Sequence, residues 1–253
     1  MAINSTPKKI IMALMTFMFI HFVILNGMYY SYAADTDTNS TIITPADNEI
    51  GGGYSVSGQI SGAGYTAHLY DATNGLPTSD ANYILGSKDG YVWIGGYAGV
   101  IRYDGTTFER LDTSEGLTSA RTLFEDSNGR IWVGTNDNGV VLLDHGSSTH
   151  ITYKEGLPAS SIRIFTEDRD GNIFIGTTSG VCYEDSSLNL HFIDDERINK
   201  ESILKLESDI NGNVYGLTRS GNIFRIHNGQ LVSFFSSEEL GLEKITTILA
   251  DPL

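Results

Sequence analysis

One cysteine, Cys182, stands in a chain of 253 residues. That excludes an intramolecular disulfide and any metal cluster built on cysteine. The thiol reads as a buried structural residue, because a reactive one needs a histidine nearby to hold it as thiolate and the sequence places none. Basic residues are also scarce: 16 Lys and Arg stand against 31 Asp and Glu, for a formal charge of −15. A phosphate backbone is bound by a concentrated Lys/Arg surface, so nucleic acid is excluded as a partner. The acidity itself is an ordinary device for solubility. There are only 6 histidines, at positions 21, 68, 145, 150, 191 and 227. His145 and His150 flank a turn without an acidic partner at ligand spacing, so no metal site is expected.

The chain opens on an export segment. Lys8 and Lys9 precede an apolar run from Ile10 to Leu25, and Ser31 and Ala33 supply the small residues of a cleavage site before Ala34. Residues 1–33 read as a signal peptide or, with the run extended to Tyr30, as a membrane anchor. Either one places the rest outside the cytoplasm, touching the membrane only through this segment. Residues 34–64 are polar and include Gly51, Gly52 and Gly53. Such a stretch buries too little apolar area to offset its ordering entropy and reads as a flexible linker.

From Tyr65 onward the sequence repeats. Segments such as Lys88-Asp89-Gly90-Tyr91-Val92-Trp93-Ile94-Gly95 and Ser127-Asn128-Gly129-Arg130-Ile131-Trp132-Val133-Gly134 align with two more, placing turn glycines at 90, 129, 171 and 212. That period fits four-stranded propeller blades or helical solenoids. The composition decides between them, since each unit holds four short apolar runs and none long enough for a helix pair. The second unit has Arg121 to Glu125, Arg130 to Thr135, Gly139 to Leu143 and His150 to Tyr153. The Asp-Gly or Asn-Gly between its first two runs is a hairpin signal, because such a turn needs positive φ. An aromatic follows each turn glycine by three residues (Trp93, Trp132, Phe174, Tyr215), a fixed place from which neighbouring blades can interlock.

The expected fold is therefore all-β: β-propeller blades over 65–253, four four-stranded repeats and a partial fifth, after an N-terminal hydrophobic helix. A second anchor precedes the units, as Asn74-Gly75-Leu76-Pro77, Glu115-Gly116-Leu117, Glu155-Gly156-Leu157-Pro158 and Leu240-Gly241-Leu242, but is Glu196-Arg197-Ile198 in the fourth. Thr66 to Tyr70 match a lone outer strand, and Ile245 to Ala250 match an inner strand. The expectation is an incomplete ring that stops inside a blade, a fragment of a longer protein.

The residues Asn74-Gly75-Leu76-Pro77, Lys88 to Gly95, and Gly99-Val100-Ile101-Arg102-Tyr103-Asp104-Gly105, with the matching Trp132-Val133-Gly134-Thr135 and Gly139 to Asp144, resemble the two-component regulator propeller repeat. The fourth unit departs most, with Tyr215-Gly216-Leu217-Thr218 in place of the apolar-Gly-Thr ending. The resemblance implies a periplasmic or extracellular sensor of a bacterial signalling protein, dimeric at full length. Its output, a histidine kinase or diguanylate cyclase, lies elsewhere: no phosphoacceptor region, nucleotide-binding glycine loop or Gly-Gly-Asp-Glu-Phe signature occurs here. A stand-alone secreted binding or adhesion propeller is the alternative, and a propeller glycan hydrolase a weaker one.

No catalytic residue and no cofactor is expected. Hydrolysis of a glycan needs two carboxylates facing each other, and the sequence offers acids without a way to pair them. The Asp-x-[Asp/Asn]-Gly turns lack the further ligands of a calcium loop, so Asp126, Asp168 and Asp209 read as turn-shaping residues. A ligand site is the better candidate. Asn82, Arg121, Arg163 and Leu204 each stand eight residues before a turn glycine, where the inner strand begins. The three polar ones could ring a channel mouth and take an acidic or hydroxylated ligand, a carbohydrate or other small molecule. Tyr97, in the turn Gly95-Gly96-Tyr97-Ala98-Gly99, could add a stacking surface.

Overall fold

A computed structural model describes residues 70–72, 75–78, 80–111 and 116–250. The leader, the linker and nearly all of the outer strand expected over Thr66 to Tyr70 lie outside the described residues. Sixteen strands form four antiparallel sheets, each made of four consecutive strands in chain order. Blade 1 contains β1 (Tyr83–Gly86), β2 (Val92–Gly96), β3 (Gly99–Tyr103) and β4 (Phe108–Arg110). Blade 2 contains β5 (Ala120–Glu125), β6 (Ile131–Thr135), β7 (Val140–Asp144) and β8 (Ser147–Ile151). Blade 3 contains β9 (Ile162–Glu167), β10 (Ile173–Thr177), β11 (Gly180–Glu184) and β12 (Leu190–Phe192). Blade 4 contains β13 (Ile203–Ser208), β14 (Asn213–Thr218), β15 (Ile223–His227) and β16 (Gln230–Phe235). These are the expected propeller blades. Among the described residues no helix is long and apolar enough to cross a membrane.

The turn between the first two strands is built by one side chain. In blade 2 the Oδ1 of Asp126 accepts the amides of Asn128 (3.0 Å) and Arg130 (2.9 Å), while Gly129 takes φ +78°. Its Oδ2 accepts Arg130 Nε at 2.6 Å and the indole Nε1–H of Trp132 at 2.9 Å. The same place adapts to each blade's aromatic. Ser87 Oγ accepts the Trp93 indole at 3.0 Å, and Asp209 takes the Tyr215 hydroxyl at 3.2 Å. Asp168 faces a phenylalanine that has nothing to donate, and bonds Asn172 Nδ2 at 2.9 Å instead. The acidic turn residues thus cap the hairpins, as read from the sequence.

The aromatics face forward along the array. Trp93 packs with Leu117, Leu123 and Val133 of the blade 2 segment, Trp132 with Leu157, Ile162 and Phe165, and Phe174 with Ile198, Ile203 and Leu206. The backward face of blade 1 has no such cover among the described residues, and Ile84 is 64% exposed where its equivalents Leu123, Phe165 and Leu206 are buried. Tyr215 packs with Leu217, Ile245 and Ile248.

Two local expectations are corrected, and a third irregularity is explained. The outer strand of blade 2 runs over Ser147–Ile151 rather than His150 to Tyr153, because His145 (φ +45°) and Gly146 (φ +93°) turn the chain back at once. No strand forms over Ile245 to Ala250: a strand is defined by a paired neighbour, and the described residues supply none, although Ile245 and Ile248 are buried. The fourth anchor, which lacks its glycine, is a turn around Asp195, whose carboxylate accepts the Arg197 amide (3.0 Å) and guanidinium (2.8 and 2.7 Å). It delivers Ile198 to the buried place that Leu117 and Leu157 hold elsewhere.

The irregular ending of the fourth unit keeps the common register. Gly216 pairs with Phe224 where the other blades pair Ile94 with Ile101, Val133 with Val141 and Ile175 with Cys182. A Cβ on Gly216 would stand 1.9 Å from the Phe224 ring, so the larger residue occupies the room left by the smaller. Cys182 is fully buried in this row, and burial pushes its thiol pKa up, as a structural thiol requires.

One buried carboxyl breaks the apolar pattern. Glu184 stands in register with Ile173, where the matching residue of blade 2 is Leu143, and is 5% exposed with Oε2 unpartnered. Burial raises its pKa from 4.5 to about 7, with Asp185 pushing the same way and Arg130 opposing. The native state therefore holds this proton more tightly than the unfolded chain, and stability falls as pH rises from about 4.5 through about 7. Glu184→Gln is expected to raise stability at pH 8 by up to about 3 kcal/mol and to change little near pH 4.5. Urea unfolding of both proteins across this range measures it, and a constant difference would refute the assignment.

Candidate functional site

The inner strands of blades 2, 3 and 4 share an irregularity that the residue pattern does not reveal. Each carries a β-bulge, between Ala120 and Thr122, between Ile162 and Ile164, and between Ile203 and Lys205. The extra residue is Arg121, Arg163 or Leu204. A bulge re-aims its side chain away from the alternation of the strand. Thus Arg121 and Leu204 are exposed and Arg163 is half-buried, although each follows a fully buried neighbour.

The loop between the second and third strands closes over the same edge. Thr135 and Thr177, both buried, donate their hydroxyls to the carbonyls of Gly139 (2.8 Å) and Gly180 (3.0 Å), which shapes the turn. The next residue in each blade is then tied to the start of the inner strand. The amides of Asn136, Thr178 and Arg219 donate to the carbonyls of Ser119, Ser161 and Ser202 at 3.1, 3.1 and 2.8 Å. Tyr97 holds the corresponding place in blade 1, and its carbonyl accepts the Ser119 amide at 3.3 Å.

All four residues singled out from the sequence therefore come to one edge. Tyr97 is 63% exposed there. Asn82 lies just before β1, exposed, and its Nδ2 donates to the Ala120 carbonyl at 3.1 Å, so its amide already serves as a tie between blades 1 and 2. Arg163 feels Arg121 and Arg219 directly: burial lowers its guanidinium pKa, and the two neighbouring cations lower it further. Arg219 is the member that sequence reasoning missed. Its place in the repeat holds Tyr97, Asn136 and Thr178 in the other blades, with no shared chemistry to draw attention. The available signal was position alone, one residue after Thr218 as Thr178 follows Thr177.

No cluster of His, Cys, Asp and Glu among the described residues is arranged to hold a metal ion. The edge can instead bind through guanidinium forks, an aromatic face and backbone-anchored polar side chains.

The profile of the two-component regulator propeller matches the chain twice, over residues 115–137 and 156–179. These are two-component regulator propeller repeats. The two matches begin at the anchors that lead into blades 2 and 3 and end just after β6 and β10. The propeller repeats also resemble the extracellular domain of a candidate hybrid two-component system, BT3049 from B. thetaiotaomicron, at 27% identity and a TM-score of 0.51, covering 60% of this chain and 22% of that one. The blade architecture recurs in virginiamycin B lyase from Staphylococcus aureus (16% identity, TM-score 0.52, 64% of this chain and 57% of that one). It recurs again in PorZ, a surface component of the type-IX secretion system of Porphyromonas gingivalis (15% identity, TM-score 0.53, 65% and 28%). At such identities the last two show the fold alone. The chain thus spans between 22% and 57% of the length of these structures. No curated protein matches it.

Proposed function

We propose that this chain is the extracytoplasmic ligand-sensing propeller module of a bacterial signal-transduction protein, and that it is not itself catalytic. The observation that carries the reading is the edge formed by the inner-strand bulges. Three successive blades present the same backbone irregularity at the same place, and what varies among them is the side chain it projects: Arg121, Arg163, Leu204. A repeat scaffold that holds its backbone constant while varying one projected residue per unit is arranged for recognition. The two-component regulator propeller repeats and the likeness to the extracellular domain of BT3049 support the same reading, as does the apolar leader read from Ile10 to Leu25. The catalytic output, a histidine kinase or a diguanylate cyclase, then belongs to another part of the full-length protein.

The test uses the intact gene in its own cell. Its coding sequence is expected to contain a membrane helix and one of these output domains. Arg121→Glu combined with Arg163→Glu is expected to lock the output, phosphotransfer or cyclic dinucleotide, in one state whatever the growth medium. An intact gene encoding no output domain would overturn the reading in favour of a secreted binding propeller.

A further inference from the structure

We propose that Arg121, Arg163 and Arg219 together form the binding site for a ligand that carries two or more oxyanion groups, carboxylate or phosphate. The inference rests on the reading of this edge as the ligand face and names the chemical class that the face selects.

The argument begins with an imbalance. The chain has 31 carboxylate side chains and 16 cations, so an arginine has ample opportunity to find an acid. Four of the nine do: Arg102 pairs with Glu109, Arg130 with Asp126, Arg169 with Asp170 and Arg197 with Asp195. Among the described residues, Arg121, Arg163 and Arg219 have neither an ion pair nor a side-chain hydrogen bond, and yet they are neighbours. Glu201, next to the loop that carries Arg219, accepts the Ser220 hydroxyl at 2.7 Å and is in no ion pair with Arg219.

Backbone geometry enforces the gathering. Arg121 and Arg163 are bulge residues of adjoining inner strands, and the 2.8 Å bond from the Arg219 amide to Ser202 holds that loop against the third. Burial and the two flanking cations depress the Arg163 pKa. Three like charges held by a rigid backbone without ion pairs of their own are destabilising when empty, and an anion relieves that repulsion on binding. Guanidinium forks pair with carboxylate and phosphate oxygens two at a time, which favours a ligand with more than one such group. Room for the body of the ligand adjoins: a pocket of about 330 Å³ is lined by Arg219, Leu204, Ser220, Ser237, Glu243 and Lys244.

The experiment is calorimetric titration of the full chain at low ionic strength with tripolyphosphate, with tricarballylate and with the neutral sugar maltohexaose. Saturable one-to-one binding of at least one polyanion is expected, weakened at least about tenfold by Arg163→Gln and by Arg219→Gln, as the loss of one charge-assisted pair implies. Arg110→Gln, which removes a lone cation on β4, is expected to leave it unchanged. Without ligand, Arg163→Gln should melt no lower than the parent, which separates loss of binding from loss of fold. Tripolyphosphate alone would assign the site to phosphate, tricarballylate alone to carboxylate. Absence of polyanion binding, or equal weakening by Arg110→Gln, overturns the inference. If maltohexaose binds and Arg163→Gln abolishes that, the oxyanion class fails while the ligand-sensing reading stands.

Discussion

Gly216→Val is expected to destabilise the chain by at least about 3 kcal/mol, the upper range for overpacking a core that has no slack. The added carbons would enter the Phe224 ring, whose atoms stand 1.9, 2.4 and 2.5 Å from the position of a Cβ. Both residues are buried in the middle of blade 4, and rigid β-strands on either side leave no route of relaxation. Phe224→Val alone is expected to cost about 3 kcal/mol for the opposite reason, a cavity over Gly216. The double variant Gly216→Val, Phe224→Val recreates the Val133–Val141 pair of blade 2 and should recover most of either loss. A coupling of about 1–3 kcal/mol is anticipated for residues in such contact. Urea unfolding of the four proteins measures it, and additive losses would show that the two residues do not trade volume.

Asp126→Ala carries the second large effect, a loss of about 3–5 kcal/mol. The carboxylate is fully buried and satisfies four donors: two backbone amides, the Arg130 guanidinium and the Trp132 indole. Removing it leaves the indole unpaired inside the core and Arg130 half-buried without its partner. Asp126→Ser should be milder, since Ser87 performs the same service for Trp93 in blade 1. Combining Asp126→Ala with Trp132→Phe removes one orphaned donor and should cost less than the sum of the two changes, because Phe174 occupies this place in blade 3 without a donor. Thermal and urea unfolding of the set decide the point. Equal losses for the alanine and serine variants would mean that the turn is held by its backbone alone.

Much of this fold is legible in the residues because its signals are chemical and repeat. Asp or Asn before glycine marks each first hairpin, and the aromatic three residues later marks the face that meets the next blade. What stayed hidden is geometric. A bulge changes which face a residue reaches without changing which residue it is, so Arg121 and Arg163 could be named while the reason they share one edge could not. Tyr97 stood out as an aromatic in a glycine-rich turn. Arg219, in the same place three blades on, had no such contrast with its neighbours. The volume trade at Gly216 reads as a defect in the repeat until the cross-strand partner is known, since Phe224 is eight residues away and nothing local links the two.

The turns also differ in how they grip the next sheet. The Lys88 amide donates to Glu125 at 2.9 Å, and Ser127 donates to Glu167 through both its amide (2.7 Å) and its hydroxyl (2.5 Å). At the third seam Ser208 replaces the glutamate; the Thr166 and Ser208 hydroxyls meet at 3.4 Å, and the Arg169 side chain lies against Gly212. In a linear array, stability is a sum of unit terms and nearest-neighbour couplings. Unequal couplings make such an array a zipper with a preferred place to start. The turn amides around Arg169, which lack the glutamate acceptor, are expected to exchange with solvent before those at Lys88 and Ser127.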